Sequence, residues 1–233
     1  MLAWQYTYME IELLDRDAAD FRCGINDVYR AHVQGLGIGY IKVDQSEYDY
    51  PLFTPYELGA YKVSQVLGFN NVPLTVALEH PTFGPCVFSA EVKGGPKKLF
   101  LSDYYTPIDP APYDIIDMQK IACLDIICGN TDRNGNNYRT ADDGKPMGID
   151  HGLAFGARES GSSRFVYWFQ QTDNVMIDQS VLDMIDRANL DMIETELLKV
   201  GLRHEQIDLV VQRMLTMLDD CTIDWEGYGL SSW

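Results

Sequence analysis

The run Gly129-Asn-Thr-Asp-Arg-Asn-Gly-Asn-Asn-Tyr138 sets one aspartate among four asparagines, a composition too specialised for a plain connector. Within it Asp132 and Asn137 stand five positions apart. A carboxylate can accept the proton of an attacking hydroxyl, and an amide oxygen can hold a hard divalent cation. Asp150 follows thirteen residues after Asn137, at the end of a short apolar stretch and two positions before Gly152. A carboxylate there adds a second oxygen ligand, and the glycine lets the chain turn sharply away. One proton acceptor, Asp132, and two metal ligands, Asn137 and Asp150, suit phosphoryl transfer to a hydroxyl.

Two other readings of the same run stay open. Asparagine side chains bond their own backbone, so it could be an Asx-rich turn and nothing more. Alternatively Asp132, Asn134, Asn136 and Asp143 fall at positions 1, 3, 5 and 12 of a calcium loop. Against that, position 6 is Asn137 instead of Gly, position 12 is Asp instead of Glu, and Pro146 obstructs an exiting helix. The offset from Asp132 to Asn137 is that of the kinase catalytic loop H-R-D-x-x-x-x-N, and the phosphoryl-transfer reading weighs most.

Further parts stand upstream in the expected order. Lys42, in Gly39-Tyr-Ile-Lys-Val43, resembles the V-A-I-K lysine that grips the α- and β-phosphates. Glu57 could hold that lysine, or serve only as a capping residue; Glu47 is the reserve partner. Gly24, Ile25, Asn26 and Asp27 could cover the phosphates with backbone N–H groups. Gly35, Gly37 and Gly39 imitate a G-x-G-x-x-G loop but come too close to Lys42, and belong to a hairpin turn. Glu91 and Val92 are the expected hinge against adenine, with Val43, Val76, Phe88, Ile126 and Ile149 as apolar walls. Asp125 is either a buried brace of the catalytic loop or an exposed acid. His151, Cys123 and Cys128 read as structural.

Leu124-Asp-Ile-Ile-Cys-Gly-Asn-Thr-Asp-Arg-Asn-Gly-Asn-Asn137, taken with Gly148-Ile-Asp-His-Gly-Leu-Ala-Phe155, resembles the core of the phosphatidylinositol 3-/4-kinase-like group. It is most similar to the type II phosphatidylinositol 4-kinases and their small bacterial relatives, in which N-[TA]-D-R-x-x-x-N precedes I-D-[NH]-G. The resemblance implies a bilobal kinase-like fold with ATP between the lobes. It carries the catalytic role to Asp132, metal ligation (Mg²⁺, with Mn²⁺ as a substitute) to Asn137 and Asp150, and nucleotide binding to Lys42. His-Arg-Asp is replaced by Thr131 before and Arg133 after the aspartate, and no A-P-E stretch follows Asp150, which puts a peptide-docking platform in doubt. The acceptor is expected to be a hydroxyl, of a protein Ser or Thr sooner than of a lipid. Autophosphorylation around Ser160 to Ser163 is a further expectation. Rival readings are an inactive kinase-like binding module and an enzyme that transfers AMP.

The elements that must position these groups follow from periodicity. Val28–Val33 and Tyr40–Val43 flank a glycine-rich turn and read as a hairpin. Thr54, as N-cap, with Pro55 and Glu57 opens a capping-box helix ending at Gly68. Val72–Leu78 and Cys86–Val92 form a second hairpin, so residues 1–93 are expected as strand–strand–helix–strand–strand, a small nucleotide-binding lobe. After Gly94, residues 94–233 are expected as a mostly helical lobe carrying the catalytic loop and metal site. Its helices are one ending at Gly129, then a helical series from Asp178 in which Ile207, Val210, Val211, Met214, Leu215 and Leu218 mark an apolar face. The fold class is therefore α+β.

Composition bounds the partners. With 233 residues, 46% of them apolar, the chain can bury a substantial core. Thirty-five acidic against 18 basic residues leave a net charge of −17, which disfavours nucleic acid and stable association with anionic membranes. No stretch approaches the ~20 apolar residues of a membrane span, and the start lacks the basic region of a signal peptide. Five scattered cysteines suit reduced thiols, four distant histidines give no metal pattern, and a cytoplasmic location is expected.

Overall fold

Short β-branched and apolar runs separated by turns build the first half of the chain into an antiparallel sheet. The computed structural model describes residues 9–16, 28–43, 54–93, 113–156 and 162–228. Strands β1 (Ile11–Arg16), β2 (Val28–Val33) and β3 (Gly37–Val43) precede helix α1 (Thr54–Val66), and β4 (Thr75–His80) and β5 (Gly84–Ala90) follow it. They pair in the order β1-β2-β3-β5-β4. Both expected hairpins form, though the first turn is only residues 34–36, with Gly35 at φ +80°, and Gly37 and Gly39 lie within β3. The edge strand β1 is an addition to the sequence reading. Its pairing with β2 shifts register between Leu13 and Asp15.

The sheet has two unlike faces. Ala31, Val33, Ile41, Leu78, Cys86 and Phe88 are fully buried together on one of them. On the other, Val87 joins a core that runs through α1 into the helices of the second half. α1 begins at Thr54 itself, so the expected N-cap is the first helical residue, a one-residue shift at an end where boundaries are least sharp. Glu57 is buried, and its carboxylate points away from the helix start toward other partners.

In the second half, Asp114 caps α2 (Ile115–Cys128) by accepting a hydrogen bond from the Ile116 N–H. Ten of its residues are buried, from Met118 to Cys128, so α2 is enclosed on most of its sides, with Gln119 and Asp125 buried among apolar residues. Gly129, at φ +61°, ends it in the left-handed conformation and turns the chain into the polar run. Four short strands follow: β6 (Asp132–Arg133), β7 (Tyr138–Thr140), β8 (Pro146–Gly148) and β9 (Ser162–Ser163). β7 and β8 form a hairpin, and β9 lies parallel to β6. Helices α3 (Arg164–Gln171), α4 (Gln179–Asp186), α5 (Leu190–Lys199) and α6 (His204–Asp220) complete the described chain. The segment from Asp178 is helical as expected, whereas α3 was absent from the sequence reading. On α6, Ile207, Val210 and Met214 are buried but Leu215 is 48% exposed. Lys62 of α1 pairs with Glu196 of α5 at 3.0 Å, tying the two halves together. The expected boundary at Gly94 lies outside the described residues. Among the described residues no helix is long and apolar enough to cross a membrane.

Gly129 is constrained by conformation and by space, since an added Cβ would lie 2.5 Å from the Arg213 guanidinium. Gly129→Ala is expected to lower stability by about 1–3 kcal/mol. A urea midpoint equal to that of the wild type would show that neither constraint acts.

Candidate active site

The strand period delivers Lys42 to the site. Val28 faces Lys42 and Arg30 faces Tyr40 across the β2–β3 pair, and Val28, Tyr40 and Lys42 line a cavity of about 420 Å³ beneath the sheet. Val87, Ser89, Glu57, Ile149 and Asp150 line it as well, so the cavity lies between the sheet and the polar loops of the second half. Lys42 Nζ donates to Glu57 Oε1 at 2.5 Å and to Asp150 Oδ1 at 2.8 Å. Burial alone would depress the lysine pKa, but the charges of Asp150 and Glu57 prevail and raise it. For Glu57 burial would raise the pKa, and the Lys42 charge with His151 brings it below the usual carboxylate range. Both side chains are therefore ionised at neutral pH.

Asp132 sits at the start of the loop, half-buried. Its Oδ1 accepts from Asn134 Nδ2 at 3.1 Å and its Oδ2 from Asn137 Nδ2 at 2.9 Å. Burial holds its pKa above the ordinary carboxylate value; the Asn134 and Asn137 bonds oppose this, and the nearby Asp150 charge adds to it. Asn137 Nδ2 also donates to the Asp132 backbone oxygen at 2.6 Å. Its amide nitrogen is thus committed to Asp132, and its Oδ1 has no partner among the described residues. Asp150, at φ +58°, turns its exposed carboxylate toward Lys42 through Oδ1 alone. Asn137 Oδ1 and Asp150 Oδ2 are hard oxygen donors of the kind Mg²⁺ takes when phosphates and water complete its shell. No group of three or more His, Cys, Asp or Glu among the described residues could hold a metal.

One buried arginine organises the loops around these groups. Arg133 and Asp125 are both fully buried and pair at 2.9 Å. Arg133 Nη1 donates to the backbone oxygens of Asn137 and Ile149, and Nη2 reaches His151 Nε2 at 2.7 Å. Asp125 accepts further bonds from Asn130 Nδ2 at 3.0 Å and Ser163 Oγ at 2.7 Å. Because arginine can only donate, His151 accepts at Nε2 and carries its proton on Nδ1, 3.7 Å from Glu57 Oε2. Burial and the Arg133 charge lower the His151 pKa, keeping the ring neutral. The backbone N–H of His151 donates to Glu57 Oε2 at 3.0 Å, which links the arginine network to Lys42.

Lys42, Glu57 and Asp150 line the cavity, whereas Asp132 and Asn137, bonded to each other at 2.9 Å, lie behind its lining with the Asp150 charge close to Asp132. Glu57 holds the lysine and does not serve as the reciprocating residue of a capping box. Asp125 is the buried brace, and the calcium-loop alternative fails because residues 138–148 form a hairpin and Asp143 pairs with Lys145 at 2.8 Å. The Asx reading holds in part: Asn134 Oδ1 accepts from the Asn136 N–H at 2.8 Å, shaping the same loop. Glu91 and Val92 line the cavity, and the Glu91 N–H is already used by the Ile38 carbonyl at 3.0 Å. Of the expected walls only Ile149 lines the cavity. Val43, Val76 and Phe88 belong to the opposite face of the sheet and Ile126 to the helical core. The strand residues were one position out of register, and a step of one reverses the face. Gly24, Ile25, Asn26, Glu47 and Ser160 lie outside the described residues. Ser163 is buried and bonded to Asp125, a poor acceptor of phosphate.

His151 is structural, as expected, but its partners and the organising role of Arg133 are not legible in the sequence. The signals for Arg133 are the arginine of the N-[TA]-D-R-x-x-x-N motif and its place eight residues after an aspartate on the buried side of α2. Asn136 and Arg139 also line the cavity, and neither was read from the sequence as a residue of the nucleotide cleft.

No family profile matches the chain, and no curated protein matches it. Among solved structures it is similar to one described as a Helicobacter pylori proinflammatory kinase, CtkA, with a TM-score of 0.54 and 13% identity. The alignment covers 96% of this chain and 97% of that one. The fold is thus α+β and kinase-like, while the finer resemblance to the phosphatidylinositol 3-/4-kinase group rests on the two motifs alone.

Replacing one member of a buried ion pair strands the other charge. Arg133→Met is expected to cost about 3–5 kcal/mol in a denaturant titration, and joint replacement of Asp125 by Leu to recover part of it. Additive losses would show that the two charges are not coupled. The Lys42–Glu57 pair makes a pH-dependent contribution. The Glu57 pKa is depressed by folding, so its stabilisation is complete well above the ordinary value of 4.5 and is lost as pH falls below it toward the folded value. The stability difference between wild type and Glu57→Gln is therefore expected to shrink from pH 7 to pH 3, and a constant difference would contradict the assignment.

Proposed function

We propose that the chain is an ATP-dependent phosphotransferase with two lobes, residues 1–93 and 94–233, closing on nucleotide. The observation that carries this reading is Lys42 bridging Glu57 at 2.5 Å and Asp150 at 2.8 Å, beside the Asp132–Asn137 pair. Lys42, held by Glu57, is oriented to contact the α- and β-phosphates, and Gly24, Ile25 and Asn26 are assigned to that end from their place in the sequence alone. Glu91 and Val92 would border the base. Asp132 accepts the proton of an acceptor hydroxyl as that oxygen forms its bond to the γ-phosphorus and the bond to the β-phosphate oxygen breaks. The raised pKa of Asp132 favours proton uptake. Asn137 and Asp150 would hold Mg²⁺, or Mn²⁺ in its place, which supplies charge neutralisation to the bound phosphates. A protein Ser or Thr hydroxyl is the preferred acceptor, since a net charge of −17 opposes approach to an anionic lipid surface.

Asp150→Ala is expected to abolish metal-dependent ATP turnover with the circular dichroism unchanged; undiminished turnover would remove Asp150 from the site. Incubation with ATP labelled at the α or γ position, followed by analysis of the acceptor, distinguishes the reactions. Transfer of the γ label is expected, transfer of the α label would mean AMP transfer, and ATP binding without transfer would mean a binding module.

A further inference from the structure

The end of β5 is held more tightly than a strand terminus requires. Ala90 donates its N–H to the Leu74 carbonyl at 2.8 Å and Glu91 donates to Ile38 at 3.0 Å, so the chain is bonded on both sides where it leaves the sheet. The Glu91 carboxylate is then gripped from above. Arg30 Nε donates to Oε1 at 2.8 Å and Arg30 Nη2 to Oε2 at 3.0 Å, a two-point fork, and the Tyr40 hydroxyl reaches Oε1 at 3.3 Å. Arg30 and Tyr40 are direct partners across the β2–β3 pair, so two neighbouring strands converge on the side chain just past the end of β5. The Arg30 bonds lower the Glu91 pKa, so the clamp is charged at neutral pH. Beyond it Val92 and Lys93 run along the cavity without regular structure.

We propose that Arg30 is a positioning residue for base selectivity: with Tyr40 it locks Glu91, and so fixes where residues 91–93 present their backbone groups to a nucleotide base. This rests on the nucleotide reading of the cavity. A base is read by N–H and C=O groups whose placement must hold within about 0.5 Å. An irregular segment does not hold that by itself, and a planar guanidinium bonded at two points to a carboxylate supplies it. Lys42 is two residues from Tyr40 on the same face of β3, so the clamp also sets the distance from the base edge to the phosphate end. Arg30 is itself 37% exposed at its side chain and outside the cavity lining, so it acts through Glu91.

The test separates the base end of the cavity from the phosphate end. Dissociation constants of wild type, Arg30→Ala, Arg30→Lys and Tyr40→Phe are measured by calorimetry for ATP, GTP and inorganic tripolyphosphate, each with Mg²⁺. Arg30→Ala is expected to weaken ATP about tenfold, with a narrower preference for ATP over GTP and tripolyphosphate affinity within about twofold of wild type. Arg30→Lys, which keeps the charge but not the fork, should fall between, and Tyr40→Phe should show a smaller loss of the same kind. Equal weakening of ATP and tripolyphosphate, or no change in the ATP:GTP ratio, would overturn the proposal. Should Arg30→Ala not fold, Arg30→Lys and Tyr40→Phe carry the same comparison. A wild-type chain that binds tripolyphosphate but neither nucleotide would sink the nucleotide reading itself, and the positioning role with it.

Discussion

Arg133 keeps a permanent positive charge where no solvent reaches it, a situation that is stable only if every donor of the guanidinium finds an acceptor. Those acceptors are Asp125, the carbonyls of Asn137 and Ile149, and His151 Nε2, and they belong to three separate stretches of chain. Asp125 is on α2, Asn137 ends the polar loop, Ile149 precedes Asp150, and His151 follows it. Satisfying one buried charge therefore fixes the relative position of both metal-ligand candidates and of the loop that carries Asp132. Asp125 is saturated in its turn by Asn130 and Ser163, which brings β9 beside β6. The cost of burying the pair is offset by this full set of bonds, and its return is a single arrangement of loops that would otherwise have many.

From that arrangement the order passes to the sheet through Glu57. Its Oε2 accepts from the His151 backbone N–H and its Oε1 from Lys42, so one carboxylate on α1 joins the arginine network to the strand lysine. Lys42 in turn reaches Asp150. The circuit crosses from one half of the chain to the other and back, and it can close only if α1 is packed against the sheet and also against the helices. The core that runs from Val87 through α1 to α2 provides that packing, with the Lys62–Glu196 pair at its rim.

The errors of the sequence reading have definite physical sources. Val43, Val76 and Phe88 were expected to wall the cavity because they are apolar and in the right strands. A sheet with two buried faces has apolar residues on both, and hydrophobicity alone does not say which faces the cleft. Lys42 breaks the tie: the face on which a charged lysine sits is the cleft face, and counting in twos from it selects Tyr40 on the same strand and, through cross-strand pairing, Val28 and Val87. α3 was overlooked because its eight residues, Arg-Phe-Val-Tyr-Trp-Phe-Gln-Gln, are aromatic and β-branched enough to read as either element.

The sequence by itself determined the local geometry and the chemical kinds of group. Hairpin turns, the stops of α1 and α2 at glycine, the α+β order of elements, and the spacing of Asp132, Asn137 and Asp150 follow from backbone preferences and periodicity acting over a few residues. Only the tertiary structure decided that Glu57 holds Lys42 and does not cap its helix, that Asp125 is buried, and that Arg133 and His151 join the loops. Glu57 and His151 are 94 positions apart along the chain, Lys42 and Asp150 are 108 apart, and Arg30 and Glu91 are 61 apart. Contacts at such separations leave no periodic trace, because which polar groups meet is decided by packing between distant segments and not by the spacing of residues along any one of them.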